Sequence, residues 1–98
     1  MVNVLVSHKI ADYQKWRATF DASLSFRQQS GEQSCRIFQS SEDPHKFSLL
    51  FEWESAEKAR KFMSSPDLQA RMDQAGVVGP PLIEFLNELH TLRKSAAD

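Results

Sequence analysis

Val2, Val4 and Val6 alternate with Asn3, Leu5 and Ser7. That period-two run of β-branched residues predicts a strand over residues 2–8, with His8 continuing the valine face. Asp12 then suits a helix N-cap, because its carboxylate can accept from the free amides of a first turn. Tyr13, Trp16, Phe20 and Leu24 recur at helical spacing until Ser30-Gly31, where glycine supplies a left-handed C-terminus. Residues 34–40 form a short predicted strand with Cys35, Ile37 and Gln39 opposite Arg36, Phe38 and Ser40, and the following SEDPHK reads as a turn. KFSLLFEW is the strongest β signal: Phe47, Leu49, Phe51 and Trp53 share one face, Ser48, Leu50 and Glu52 the other. Ser55 can cap a helical stretch over 56–75 whose apolar stripe is Ala59, Phe62 and Met63. Ser65-Pro66 restarts it, and Leu68, Met72 and Ala75 carry it on to Gly76. VVGPP should run extended into a last strand over LIEFLNEL, with Ile83, Phe85 and Leu89 facing one way and Leu82 and Leu86 the other.

The order β-α-β-β-α-β predicts an α+β, ferredoxin-like domain with a four-stranded antiparallel sheet over residues 1–90, followed by a fraying tail over 91–98. Pro80 and Pro81 place the last strand at a sheet edge, since proline cannot donate to a ladder. Two helical layers cover only one face of such a sheet, and water normally meets a polar second face. Here the second face carries Leu5 with Leu50, or else the Phe47 to Trp53 row. An apolar row of that kind predicts a homodimer closed through the sheet face, in effect an α/β barrel made by two chains.

The 98 residues allow one domain and one core, burying about 60–65% of the unfolded surface. Twelve basic and thirteen acidic residues give a net charge of −1 with no block of either sign. That argues against nucleic acid and anionic membranes as partners. KFSLLFEW has aromatics but lacks the basic, glycine-containing motif an RNA-recognition sheet needs. Cys35 is the only cysteine, which fits a reducing compartment, and no run approaches a membrane span. A cytoplasmic protein is expected.

His8 ends the predicted first strand, where side chains meet the crevice between sheet and helices. On a functional reading it is a general base or a hydrogen-bond anchor for a bound phenol or enol. On a structural one it donates to a backbone carbonyl and closes the strand. Arg27 falls inside the arc of Trp16, Phe20 and Leu24, so a guanidinium lies on a buried stripe. It either holds an anionic oxygen of a ligand or snorkels outward to the helix C-terminal carbonyls. Trp16, Phe20, Phe62 and Met63 can line an apolar ligand pocket or simply fill a core. His45 and His90 stand far from His8 with no ligand spacing, so no metal site is expected. Cys35 reads as a packing residue.

The strings VSHKIADYQKWRATFD, SEDPHKFSLLFEW and AGVVGPPLIEFL resemble the small bacterial proteins of the dimeric α/β-barrel superfamily, near its antibiotic-biosynthesis-monooxygenase-like and cyclase-like members. The resemblance runs from Val2 to Leu89. It implies a ligand cavity between the helices and the inner sheet face, with His8 and Arg27 as candidate catalytic residues and Trp16 and Phe20 beside them. The superfamily includes cofactor-free quinone-forming monooxygenases, haem-degrading monooxygenases and muconolactone isomerases. The haem-degrading branch uses a helix-borne histidine, and none occurs between Ser55 and Ala75. Haem is disfavoured on that ground, and no cofactor is expected. Two functions follow: a cofactor-independent monooxygenase-like or isomerase-like enzyme acting on a small aromatic or enolisable compound, or a non-catalytic dimeric binder or scaffold. The fold alone does not choose between them.

Overall fold

The valine alternation builds the central strand of the sheet. In the computed structural model, which describes residues 2–94, it forms β1 (Val2–Ile10). Next come α1 (Tyr13–Ala22), α2 (Leu24–Ser30), β2 (Glu32–Gln39), β3 (Lys46–Trp53), α3 (Ala56–Met63), α4 (Pro66–Ala75) and β4 (Val77–Leu86). The strands pair antiparallel in the order β2-β3-β1-β4, the ferredoxin-like arrangement anticipated above.

Register explains the core. Val2, Val4, Val6 and His8 of β1 face Trp53, Phe51, Leu49 and Phe47 of β3, while Val4 and Val6 face Phe85 and Ile83 of β4. Period-two alternation sends all of these to one side, where the helices cover them and Val4 and Trp53 are fully buried. Both rows considered for the second face therefore need separating. The Phe47 to Trp53 row lies under the helices. The uncovered face carries Leu5, Phe38, Leu50, Leu82 and Leu86, with Leu82 62% and Phe38 45% exposed.

Local chemistry sets the helix limits. Asp12 accepts from the Lys15 amide and Ser55 from the Lys58 amide. Ser65 caps α4 by accepting from the Asp67 and Leu68 amides, with Pro66 in the first turn. The single helix expected from Tyr13 to Ser30 is instead broken at Ser23, which adopts φ −95°, ψ 8°. Its hydroxyl donates to the Thr19 carbonyl at 2.9 Å, the back-bonding by which serine competes with helical continuation. The break turns Leu24 outward and leaves Phe26 to pack on Phe62. Gly31 ends α2 at φ 123°, a conformation only glycine tolerates there, since a Cβ would also lie 3.1 Å from the Trp53 ring.

Three strands differ in their limits from the sequence expectation. β1 continues to Ile10, so His8 lies within the strand, paired with Phe47, and not at its end. β2 begins at Glu32, not residue 34. β4 starts at Val77 and ends at Leu86, which takes in VVGPP and leaves Leu89 94% exposed. Between Ser7↔Leu82 and Lys9↔Val78 the register shifts, so Gly79, Pro80 and Pro81 bulge opposite His8. A bulge on an edge strand lets two residues without N–H donors sit in a sheet. Of the anticipated tail, residues 91–94 have neither helix nor strand, and 95–98 lie outside the described residues. Among the described residues no helix is long and apolar enough to cross a membrane.

Candidate functional site

The space between the helices and the inner sheet face is not completely filled. A cavity of about 70 Å³ remains, floored by Val6, Leu49, Phe51 and Ile83 of the sheet and roofed by side chains of all four helices. One water needs roughly 10–15 Å³ on such a measure, so the space suits a few waters or a small organic group. His8, Arg27, Trp16, Phe20, Phe62 and Met63, the six candidates from the sequence, all line it. The valine alternation brings in His8, the helical spacing of α1 brings in Trp16 and Phe20, and the amphipathic stripe of α3 brings in Phe62 and Met63.

His8 is 7% exposed, and neither ring nitrogen has a hydrogen-bond partner among the described residues. Trp16 packs against it edge-on, with centroids 5.9 Å apart. An imidazole with no acid or carbonyl to hold a proton is hard to charge, and burial holds its pKa below the ordinary value of 6.5. It is neutral at pH 7. The carbonyl bond offered above as its structural role is therefore absent. The indole N–H of Trp53 is also buried without a partner, but Trp53 stands outside the cavity lining. The two orphans thus differ in kind, since only the His8 ring stands where a ligand can meet it.

Arg27 is 6% exposed and does not snorkel outward. Its Nε donates to Oε1 of Glu32 at 2.8 Å, and Glu32 is equally buried. Its Nη1 donates to the carbonyl of Phe20, which also accepts from the Ser23 amide at 3.2 Å, and the guanidinium carbon lies 3.6 Å from the Phe20 ring centroid. Sequence reading missed Glu32 because it placed that residue in the loop before β2. Five residues of separation across Gly31 bring the two charges together.

Sequence reading also missed Ser23 and Arg71. Ser23 lines the cavity and accepts at 2.7 Å from Nη1 of Arg71, whose guanidinium carbon lies 4.3 Å from the Phe26 ring centroid. Position 71 completes the i, i+3, i+4, i+7 pattern of Leu68, Met72 and Ala75, a signal that its charge concealed. Cys35 lies on the inner face opposite Phe51, and burial pushes its thiol up to about 12, with the charge of Glu32 adding to the shift. It is a poor nucleophile.

A family model for antibiotic biosynthesis monooxygenases matches residues 1–74. Among solved structures, a candidate antibiotic biosynthesis monooxygenase from Bordetella bronchiseptica is similar at TM-score 0.75 and 16% identity, over 91% of this chain and 97% of that one. SnoaB, a cofactor-independent oxygenase from Streptomyces nogalater, is similar at TM-score 0.75 and 9% identity, over 95% of this chain and 97% of that one. A third, from Caulobacter crescentus, gives TM-score 0.70 and 16% identity over 91% and 90% of the two chains. At such identities the likeness shows a common fold. No curated protein matches the sequence.

Two outcomes test this description of the site. Glu32→Gln leaves a buried guanidinium without its counter-charge, and it is expected to cost about 3–5 kcal/mol of unfolding free energy, read from the urea midpoint. Arg27→Met combined with Glu32→Leu removes both charges and should cost clearly less. An unchanged midpoint for Glu32→Gln sinks the assignment. For His8, acidification below about 6.5 protonates the ring in the unfolded chain before the folded one. The unfolded state then binds more protons and stability falls with pH, by at most about 1.4 kcal/mol per pH unit from this group. Above that range both states are neutral and the contribution to the slope disappears. His8→Phe should flatten the stability profile between pH 6.5 and 5; an identical slope in parent and variant contradicts a buried neutral ring.

Proposed function

The chain belongs to the antibiotic biosynthesis monooxygenase family, and from that premise we propose that it is a cofactor-independent monooxygenase-like enzyme acting on a small aromatic or enolisable compound. The observation that carries this reading is the neutral, unpartnered imidazole of His8 in the wall of an otherwise apolar cavity. A neutral imidazole there can take the proton of a phenol or enol, because the ligand supplies the hydrogen bond that the protein withholds. Trp16 screens the ring, so the ligand gains access by displacing the edge of that indole. Deprotonation leaves an electron-rich phenolate or enolate whose carbon can react with dioxygen directly: one oxygen atom becomes a new carbonyl of a quinone-type product, and the other leaves as water with the hydroxyl and carbon-bound hydrogens, the substrate supplying all four electrons.

Arg27 is the proposed stabiliser of the oxyanion. Its bonds to Glu32 and Phe20 engage two of its five N–H donors and fix its plane. A donor held in place before the reaction costs no reorganisation when charge develops. Trp16, Phe20, Phe62 and Met63 are the proposed apolar contacts. The small volume favours a compact substrate, and the flexible thioethers of Met63 and Met72 can yield to a larger one. An isomerase-like reaction would use the same proton transfer without dioxygen. A cytoplasmic location accords with Cys35 being the only cysteine of the sequence.

Oxygen uptake measured with a panel of dihydroxyaromatic compounds tests the reading. The parent protein should consume oxygen with at least one of them, and His8→Gln should lose about 10²-fold or more of that rate. Parental turnover by His8→Gln removes the base, while binding without turnover by the parent leaves a non-catalytic binder.

We also infer a homodimer through the uncovered sheet face. The support is the row of Leu5, Phe38, Leu50, Leu82 and Leu86, which helices on the opposite side cannot reach. Analytical ultracentrifugation should give the mass of two chains, and Leu50→Glu should reduce it to one. Equal monomeric masses for both proteins would dismiss the dimer.

A further inference from the structure

The charges around the cavity do not balance. Its lining contains two permanent cations, Arg27 and Arg71, and no carboxylate. Glu32 stands behind Arg27 and neutralises it at 2.8 Å. Arg71 has no such partner. Among the described residues no carboxylate lies within 4.0 Å of its guanidinium, although Asp67 sits one helical turn before it on α4. Its charge is instead held by two neutral groups, the Ser23 hydroxyl and the face of Phe26.

Both groups are cavity-lining residues, as is Arg71, so its charged end stands at the cavity wall. Arg71 is also only half exposed as a residue, which weakens its solvation without replacing it. The break at Ser23 creates this arrangement. There the Ser23 hydroxyl accepts from Arg71, and the Phe20 carbonyl, three residues earlier, accepts from the Arg27 side chain. Two guanidiniums thereby meet one short stretch of chain, one compensated and one not.

We propose that the cavity takes a compact aromatic or otherwise apolar acid bound as its monoanion, with the acidic oxygens on Arg71. The apolar body would lie among Trp16, Phe20, Phe62 and Met63, the wall shared with His8. This rests on the cavity being the ligand site proposed above, and it adds the substrate class. A planar guanidinium already fixed by one hydroxyl keeps donors for a carboxylate, and the apolar lining strengthens that bond by excluding water. The roles divide accordingly: Arg71 binds an existing charge, and Arg27 meets charge that develops in the reaction.

Benzoate and benzamide are nearly isosteric probes that differ in this charge. Titration of each, followed by quenching of the tryptophan that lines the cavity, should show benzoate binding about tenfold tighter or more. Arg71→Gln should reduce benzoate to the level of benzamide while leaving benzamide unchanged. Arg71→Lys should retain part of the difference, because it keeps the charge without the fork. Comparison of the two probes on the parent protein needs no variant, so the idea remains exposed to failure even if Arg71→Gln does not fold. Equal affinity for both probes, or benzoate binding indifferent to Arg71→Gln, overturns the anionic substrate class while leaving an apolar ligand cavity. Failure of both probes to bind the parent overturns the substrate class and the cavity reading together.

Discussion

The Arg27–Glu32 ion pair is the contact on which the helix-to-sheet geometry around the cavity depends. Its partners lie on either side of Gly31, one in the last turn of α2 and the other at the first residue of β2. Both are almost fully removed from water, and each would be costly there alone. Coulomb attraction at 2.8 Å offsets the desolvation only if the chain reverses tightly between them, and Gly31 makes that reversal possible with φ 123°. The Phe20 carbonyl then completes the guanidinium's surroundings from the end of α1. One pair of charges thus ties α1, α2 and β2 together and sets the wall of the cavity nearest the helices.

Much of this architecture was legible in the chain because simple periods express it. Valine alternation and KFSLLFEW identify the two central strands, and Ser65-Pro66 marks the break between α3 and α4. The rest depended on competition between local signals. The apolar spacing from Tyr13 to Leu24 favours one helix, but the Ser23 hydroxyl bonds back to Thr19 and breaks it. VVGPP contains residues that ordinarily end strands, yet an edge position with a bulge admits them. The alternation runs on past His8, since Lys9 is exposed and Ile10 returns to the core, so the strand is two residues longer than expected. All six sequence candidates reach one cavity, since they share the helix-facing side of their elements. Glu32 and Ser23 were not legible as site residues, since each enters through hydrogen bonding across turns, which no one-dimensional period records. Arg71 shares the period of Leu68, Met72 and Ala75, but a charge on that face reads as solvated until its contact with Ser23 is seen.

The cavity environment accounts for the different states of its two basic residue types. A histidine can answer desolvation by giving up its proton, so His8 remains neutral with both nitrogens unpaired. An arginine cannot do so, and the protein must supply either a counter-charge or a polar cradle. Arg27 receives the first in Glu32, and Arg71 receives only the second in Ser23 and Phe26. The same low-polarity surroundings therefore produce a base able to accept a proton beside cations that cannot lose one.

That combination constrains the chemistry more than the fold does. A neutral base surrounded by apolar walls disfavours the imidazolium it would form, which argues for transfer from a ligand whose conjugate base is stabilised at the same moment. Fixed positive charge in the wall supplies that stabilisation, because in a poorly solvated space it acts on a developing oxyanion with little screening. The gain is greatest when the imidazolium and the oxyanion remain close, each serving as the other's counter-ion, as Arg27 and Glu32 already do. Under the proposed mechanism, proton transfer inside the cavity would separate no charge over a distance, and a histidine of lowered basicity would still suffice for a weakly acidic hydroxyl.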